Sequence, residues 1–199
     1  ASPGTANSLG SNKAIVIDAV TPTVSSVTSS KADGTYVYDD IIPINITFSK
    51  VVNVTGTPQL TLETGDTDNV VDYSSGTGTK ILTFNYKVAS DDASTDLDYK
   101  ATSSLALNSG TIKDATLNDA SLTLASPGAA NSLGASKALV IDGVIRNITD
   151  ISVDQATIAE DGGVAVITAT ISAAHSKDVT IPLTVTGTST IDTDYSTAF

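Results

Sequence analysis

A long internal repeat constrains this chain more than any other feature of its sequence. Residues 1–20 read ASPGTANSLGSNKAIVIDAV and residues 125–144 read ASPGAANSLGASKALVIDGV, with 15 of 20 positions identical at an offset of 124 residues. Chance does not produce identity at that level, and a fixed period is typical of tandem architectures. We therefore expect residues 1–18 to be the last strand of a preceding copy and residues 19–143 to be one complete copy.

The residue usage of the chain favours strands over helices. Thr, Ser, Val, Ile, Ala, Asp and Gly dominate, whereas Cys, Met and Trp are absent from the 199 residues. β-Branched residues fit pleated, half-buried surfaces, and no segment with a helical period exceeds about ten residues. The sequence predicts an all-β protein, and the lack of Cys excludes disulfides and thiolate metal sites.

Seven short strands, A to G, are predicted in the complete copy. Strand B alternates with Ile44, Ile46 and Phe48 on one face, and strand E alternates in the same way from Leu82 to Val88. The predicted strands are residues 23–28, 42–48, 59–63, 69–73, 81–88, 105–112 with a break at Gly110, and a broken last strand at 122–124 and 137–142. Seven strands of this length suggest immunoglobulin-like β-sandwiches in tandem.

An acidic stretch at residues 89–99 is the first candidate functional segment. It reads ASDDASTDLDY and places Asp91, Asp92, Asp96 and Asp98 within eight residues, with no Lys or Arg between them. Calcium takes six to eight oxygen ligands from carboxylates, carbonyls and water, so a calcium site is one interpretation. A solvated acidic loop is the other.

Strand parity brings further carboxylates to the same end of the predicted sandwich. If strand A runs from the near end to the far end, the A–B, C–D and E–F loops and the end of strand G all lie at the far end. Ten aspartates would then converge there: Asp33, Asp39, Asp40, Asp66, Asp68, Asp91, Asp92, Asp96, Asp98 and Asp142. Because so many like charges repel one another unless cations bind, calcium is favoured over a solvated end. The best candidate ligands are Asp39, Asp40, the four aspartates of the acidic stretch and Asp142.

The same parity gives the near end a smaller set of acidic residues. Asp114 and Asp119 lie in the predicted F–G loop, and they face Asp18 at the end of the preceding copy. The two ends of a repeat therefore meet at each junction between copies.

Several blocks of the first 143 residues resemble a known family. ADGTYVYDDIIPINITFSKVVNVTGTPQLTLETG, LDY, LALNSGTIKDA and LVIDG are similar to the immunoglobulin-like repeats of very large bacterial surface proteins and adhesins. The resemblance implies an extracellular, extended tandem array with a structural or adhesive role. Its logic is similar to that of cadherin arrays, in which calcium stiffens the junctions, although the cadherin linker motif is absent.

Residues 146–199 resemble the first half of a Calx-beta domain. The resemblance lies in the AEDGG turn, the DVT strand entry and the GT…TDY segment. It implies that Glu160 and Asp194, and also Asp192, help to bind calcium. About half of such a domain is present, so we expect missing strands to come from the same chain or from another copy by strand addition.

Composition weighs against several function classes. A net charge of −12 offers no basic patch for nucleic acid, and no apolar run approaches the length of a membrane span. A single His, His175 in a predicted turn, supports no Ser/His/Asp triad, so an enzyme is not expected. The favoured function is a calcium-stiffened extender module whose partners are neighbouring repeats and identical chains. The alternatives are an assembling filament or surface-layer subunit and a glycan- or protein-binding module.

Overall fold

The computed structural model describes residues 2, 4–13, 17–156, 163–174 and 180. The chain divides into two compact units, Ala1–Val144 and Ile145–Phe199. Strands dominate the described residues, and the two helices have four residues each, so the protein is all-β. In chain order the elements are α1 Leu9–Asn12, β1 Val24–Ser29, β2 Gly34–Val37, β3 Ile41–Thr55, β4 Gln59–Leu62, β5 Asn69–Ser75, β6 Thr79–Lys87, β7 Ala93–Ser94, β8 Leu105–Ala106, β9 Thr111–Lys113, α2 Leu133–Ser136, β10 Leu139–Asp142, β11 Ile148–Val153 and β12 Ile167–Ile171.

The larger sheet of the first unit is antiparallel and is built on the long strand β3. Its order is β1-β3-β6-β5-β4-β8, and β9 pairs with the second part of β3. The predicted alternation is confirmed: Ile44, Ile46 and Phe48 of β3 are buried, as are Leu82 and Phe84 of β6. A period of two places these side chains on one face of the sheet, where they form the core.

The ladder of β3 is interrupted near its middle. Its register with β6 shifts between Thr47 and Val52, and beyond that point Asn53–Thr55 pairs with β9. An irregularity of this kind changes the direction of nearby side chains. Lys50 lies within the interrupted stretch, at the end of the sheet where β1 begins.

A smaller sheet of order β2-β10-β7 completes the first unit. β2 pairs with β10 in parallel, and the sequence analysis did not predict β2. The predicted strand at 122–124 is wrong, because that segment is irregular and its Leu124 amide donates to the Thr102 carbonyl. Leu139 and Ile141 of β10 are buried in the core, as the strand G prediction requires.

Around its short helix, the repeated segment has the same local structure in both copies. Ser8 caps α1 and Ser132 caps α2, and each hydroxyl accepts the amide three residues on. The residue before each cap, Asn7 or Asn131, has φ near 70°, a conformation that Asn tolerates better than most residues. Residues 7–13 and 131–137 therefore share one local backbone conformation.

In the second unit, β11 and β12 form an antiparallel hairpin. Residues 164–171 alternate and so predict a strand, and β12 is observed there, whereas its partner β11 was not predicted from the sequence. Residues 179–186 also alternate and predict a strand, but they lie outside the described residues apart from Thr180, and so does His175.

Candidate functional site

The strand directions of the first unit bring its acidic loops to one end. We call this the acidic end, made of residues 38–40, 63–68, 88–92 and 142–143. The backbone closes there, because the Gly143 amide donates to the Asp92 carbonyl at 2.7 Å and the Asp39 amide donates to the Val88 carbonyl at 3.0 Å. The loop before β3, the loop after β6 and the end of β10 therefore meet.

Asp92 is a hydrogen-bond acceptor inside the acidic end. Its side chain is buried, and its Oδ2 accepts from the Tyr86 hydroxyl at 2.8 Å, the Ala89 amide at 2.8 Å and Nδ2 of Asn69 at 3.3 Å. Burial, together with the hydrogen bond to Asp92, raises the pKa of Tyr86, so the phenol stays a donor. Three donors on one oxygen compensate for the loss of water around a buried carboxylate.

Asp39 and Asp40 belong to the turn between β2 and β3. Asp39 has a φ of 75°, and its carboxylate forms an ion pair with Lys87 Nζ at 2.6 Å. Both side chains of that pair are more than half exposed, so it contributes little to stability. Asp40 Oδ2 accepts the Val37 amide at 2.9 Å, which fixes the turn.

Asp96 and Asp98 lie beside α2. Asp98 is buried, its Oδ1 accepts the Tyr99 amide and its Oδ2 accepts the Gly128 amide, both at 2.9 Å. A Cβ built on Gly134 would lie 3.0 Å from Asp98 Oδ2 and 3.5 Å from Asp96 Oδ2. Asp98 therefore connects the acidic stretch to the repeated segment.

The remaining predicted ligands of the first unit, Asp91 and Asp142, lie next to the backbone hydrogen bonds of Gly143. Asp91 is exposed with a φ of 66°, and its amide donates to the Gly143 carbonyl at 3.2 Å. Asp142 is half-buried at the end of β10, opposite Ala93 of β7. These two residues, with Asp39, Asp40 and Asp92, are the predicted ligands that the fold brings to the acidic end.

Lysines from outside the acidic loops reach their carboxylates. Lys87 of β6 pairs with Asp39, and Lys100 forms an ion pair with Asp68. Two of the ten aspartates thus have a lysine partner that the expected repulsion between carboxylates did not take into account. Counting lysines only within each acidic segment could not detect partners that arrive through strand pairing.

The described side chains do not assemble a metal shell. Among the residues that the structure describes, no group of three or more His, Asp or Glu side chains is arranged to hold a metal ion. Glu160, Asp192 and Asp194 lie outside the described residues. Calcium binding thus stays a prediction.

A second charged site lies at the opposite end of the larger sheet. We call it the Lys50 cluster: Asp18, Lys50, Asp114, Thr116 and Asn118. Lys50 Nζ lies 2.6 Å from Asp18 Oδ2 and 2.6 Å from Asp114 Oδ2, and it donates to the Val20 carbonyl at 2.9 Å. One ammonium group thereby joins a residue of the repeated segment to the loop after β9.

Asp114 is the anchor of this cluster. Its side chain is only 3% exposed, and it accepts hydrogen bonds from Lys50 Nζ, from the amide and hydroxyl of Thr116, and from the amide and Nδ2 of Asn118. The hydrogen bond from Lys50, followed by those from Asn118 and Thr116, holds the pKa of Asp114 far below its usual range. The carboxylate is therefore ionised throughout the neutral and mildly acidic range.

The pKa values of Asp18 and Lys50 both change in the direction that favours the charged form of each group. The hydrogen bond from Lys50, and then that from the Val20 amide, lowers the pKa of Asp18. The hydrogen bonds to Asp114 and Asp18 raise the pKa of Lys50. Strand parity predicts Asp18 opposite Asp114, but no pattern in the sequence indicates that Lys50 joins them.

Comparisons with family models, with curated proteins and with solved structures found no match to this chain. In the part of the chain that the structure describes, no helix has the length and apolar character needed to cross a membrane.

Proposed function

We propose that this chain is a spacer segment of a large extracellular bacterial adhesin or fibre protein, built from repeats joined end to end. Its first unit would be an immunoglobulin-like repeat preceded by the tail of another copy. Its second unit would be the first half of a Calx-beta domain. This arrangement agrees with the all-β structure and with the acidic composition of the chain.

The observation that carries this proposal is the contrast between the two copies of the repeated segment. Leu133 and Ile141 are 0% and 3% exposed in the core of the first unit. Their counterparts Leu9 and Ile17 are 69% and 86% exposed, although α1 and α2 have the same local structure. Large apolar side chains that are exposed in one copy and buried in the other are explained by a preceding domain that uses them as its core.

Supplying the preceding domain tests this proposal directly. Residues 19–124 placed before residue 1 would complete a repeat that ends in Leu9 and Ile17. The paramagnetic effect of a soluble gadolinium chelate on the methyl NMR signals of Leu9 and Ile17 should then fall to the level of Leu133 and Ile141. Unchanged exposure of the two methyl groups in the extended chain would contradict the array.

The extracellular location has its own test. Antibodies against residues 19–143 should label intact cells that produce the parent protein, and protease treatment of intact cells should remove the signal. Labelling that requires permeabilised cells would place the protein inside and remove the adhesin proposal.

Calcium belongs to the proposal as a ligand of the acidic end and of the second unit. Asp39, Asp91 and Asp142 are the acidic-end candidates, because Asp92 already accepts three hydrogen bonds. Bound calcium would neutralise the repulsion between these carboxylates. The change in melting temperature on addition of calcium measures this stabilisation.

Strand exchange between chains is the second candidate function, and the exposed Leu9 and Ile17 also favour it. Residues 1–18 of one chain could take the place of residues 125–142 in another, because the two segments share sequence and the same capped helical turn. Exchange predicts concentration-dependent dimers or longer assemblies in light scattering. A monomer at millimolar concentration would favour the spacer instead.

A further inference from the structure

We propose that the Lys50 cluster is the socket of a rigid joint between successive repeats, and that its partner is the Asp-x-Val end of the preceding repeat's last strand. The inference depends on the proposed array, in which residues 18–20 end one copy as residues 142–144 end the next. The joint would fix the orientation of each repeat relative to the next.

The socket binds Asp18 by both its side chain and its backbone. Lys50 Nζ contacts Asp18 Oδ2 at 2.6 Å, and the Thr116 hydroxyl lies 3.3 Å from the same oxygen. Asn118 Nδ2 donates to the Asp18 carbonyl at 3.0 Å. Three side chains from two separate segments therefore bind Asp18. A chance surface contact would not need so many partners.

The linker that follows Asp18 is held down along its length. The Val20 carbonyl accepts from Lys50 Nζ at 2.9 Å, and the Pro22 carbonyl accepts from the Ser121 amide at 2.8 Å. Pro22 is buried, and its ring fixes φ. The Thr23 amide donates to Ser49 Oγ at 3.0 Å, directly before β1 begins. Such a linker has little freedom to act as a hinge.

The charge balance of the joint explains why a lysine is needed. Asp18 and Asp114 would repel each other at this distance, and Lys50 lies between their carboxylates as the shared cation. The amides of Thr116 and Asn118 hold the Asp114 carboxylate through hydrogen bonds in which Asp18 takes no part. The joint is thus closed by a cation from the chain itself, and it does not depend on calcium.

The repeat itself supports the choice of partner. Asp is identical at positions 18 and 142, whereas the next residue is Ala19 in one copy and Gly143 in the other. The residue whose side chain the socket binds is therefore kept, and its neighbour varies.

Backbone dynamics of the full 199-residue chain in chelator test the joint. We expect ¹⁵N order parameters of residues 17–20 near the value of about 0.85 that is typical of rigid backbone. Lys50→Met keeps most of the side-chain length without the charge, and it should lower these values below about 0.6, as in flexible segments. Lys80→Met, on the exposed face of β6, is the matched control and should leave them unchanged.

Asp18→Ala provides a second variant that leaves the socket intact, because Lys50 and Asp114 still pair. It should release residues 17–20 while the amide signals of β1, β3 and β6 stay in place. Order parameters below about 0.6 at residues 17–20 in the unmodified chain would overturn the joint, as would rigid values that neither variant changes. Either result leaves the array standing, since the array is judged by the burial of Leu9 and Ile17 in the extended chain. An exposed Leu9 and Ile17 in that chain would instead remove the array, whatever the dynamics show.

Discussion

At the scale of single residues, two buried carboxylates of the acidic stretch, Asp92 and Asp98, hold nearby donors in place. Asp92 gathers donors from Tyr86, Asn69 and the Ala89 amide, and Asp98 accepts the amides of Tyr99 and Gly128. A buried carboxylate of this kind is expensive to place, so its donors must all be present. Part of the acidic stretch thus specifies the fold, irrespective of any ion.

Removing the Asp92 carboxylate tests that structural role. Asp92→Ala leaves the buried Tyr86 hydroxyl and the Ala89 amide without their acceptor, and each lost partner costs about 1–3 kcal/mol. We expect the free energy of unfolding to fall by about 3 kcal/mol in urea denaturation. Asp66→Ala, an exposed aspartate of the same end, is the control and should change it by less than about 0.5 kcal/mol. Equal effects of the two substitutions would refute the special position of Asp92.

At the scale of elements, the repeated segment before β10 depends on a few long-range contacts. The Val27 amide donates to the Asn131 carbonyl at 2.9 Å, and the Tyr99 hydroxyl donates to the Ala125 carbonyl at 2.7 Å. Leu133 adds a fully buried side chain. The segment has little regular structure of its own, so these contacts decide whether it stays attached.

An alkaline titration tests the contact made by Tyr99. Burial, with the nearby Asp98 charge, raises the pKa of Tyr99 to about 12, whereas an unfolded Tyr titrates near 10. Because the folded pKa is the higher one, the contribution is complete below pH of about 10 and is lost as the pH rises towards about 12. Stability against urea should therefore decline across this window, with hydrogen exchange rising first at residues 125–132. A decline confined to pH values below about 9 would contradict this assignment.

The predictability of each element follows from the range of its interactions. The alternating side chains of β3 and β6 reveal a buried face locally, so residues 44–48 and 82–88 could be assigned to the core from sequence. β2 is four residues long and pairs with β10, more than 100 residues away, so no local pattern marks it. For the same reason, only Asp18 and Asp114 of the Lys50 cluster were predicted to lie together. Strand parity places Asp18 and Asp114 at one end, but the interruption of β3 that aims Lys50 between them has no sequence signature.

At the scale of the whole molecule, the fold must limit the repulsion between many carboxylates. The chain carries a net charge of −12, and the two ends of its first unit handle their carboxylates differently. The Lys50 cluster uses a lysine of its own, whereas the acidic end combines buried hydrogen bonds with exposed ion pairs. Within the first unit, calcium is expected to act on the acidic end and not on the Lys50 cluster.

Thermal unfolding after chelator treatment measures the calcium contribution. Calcium at about 100 times its Kd adds about 2.7 kcal/mol of stability, which corresponds to a Tm increase of about 5–10 °C for a domain of this size. Asp142→Asn should reduce the increase, whereas Asp119→Asn, which removes a carboxylate paired with Lys113 at 2.6 Å, should not. A melting curve unmoved by millimolar calcium would leave the spacer without an ion-dependent component.

Small-angle X-ray scattering of two tandem copies of residues 19–142 in chelator tests the central claim, a rigid end-to-end array, most directly. The account predicts a maximum dimension close to twice that of one copy, unchanged by added calcium. Lys50→Met in the second copy should broaden the distance distribution, because the linker then becomes a hinge. A maximum dimension near that of a single copy, or a two-copy protein as flexible as its Lys50→Met variant, would contradict the account.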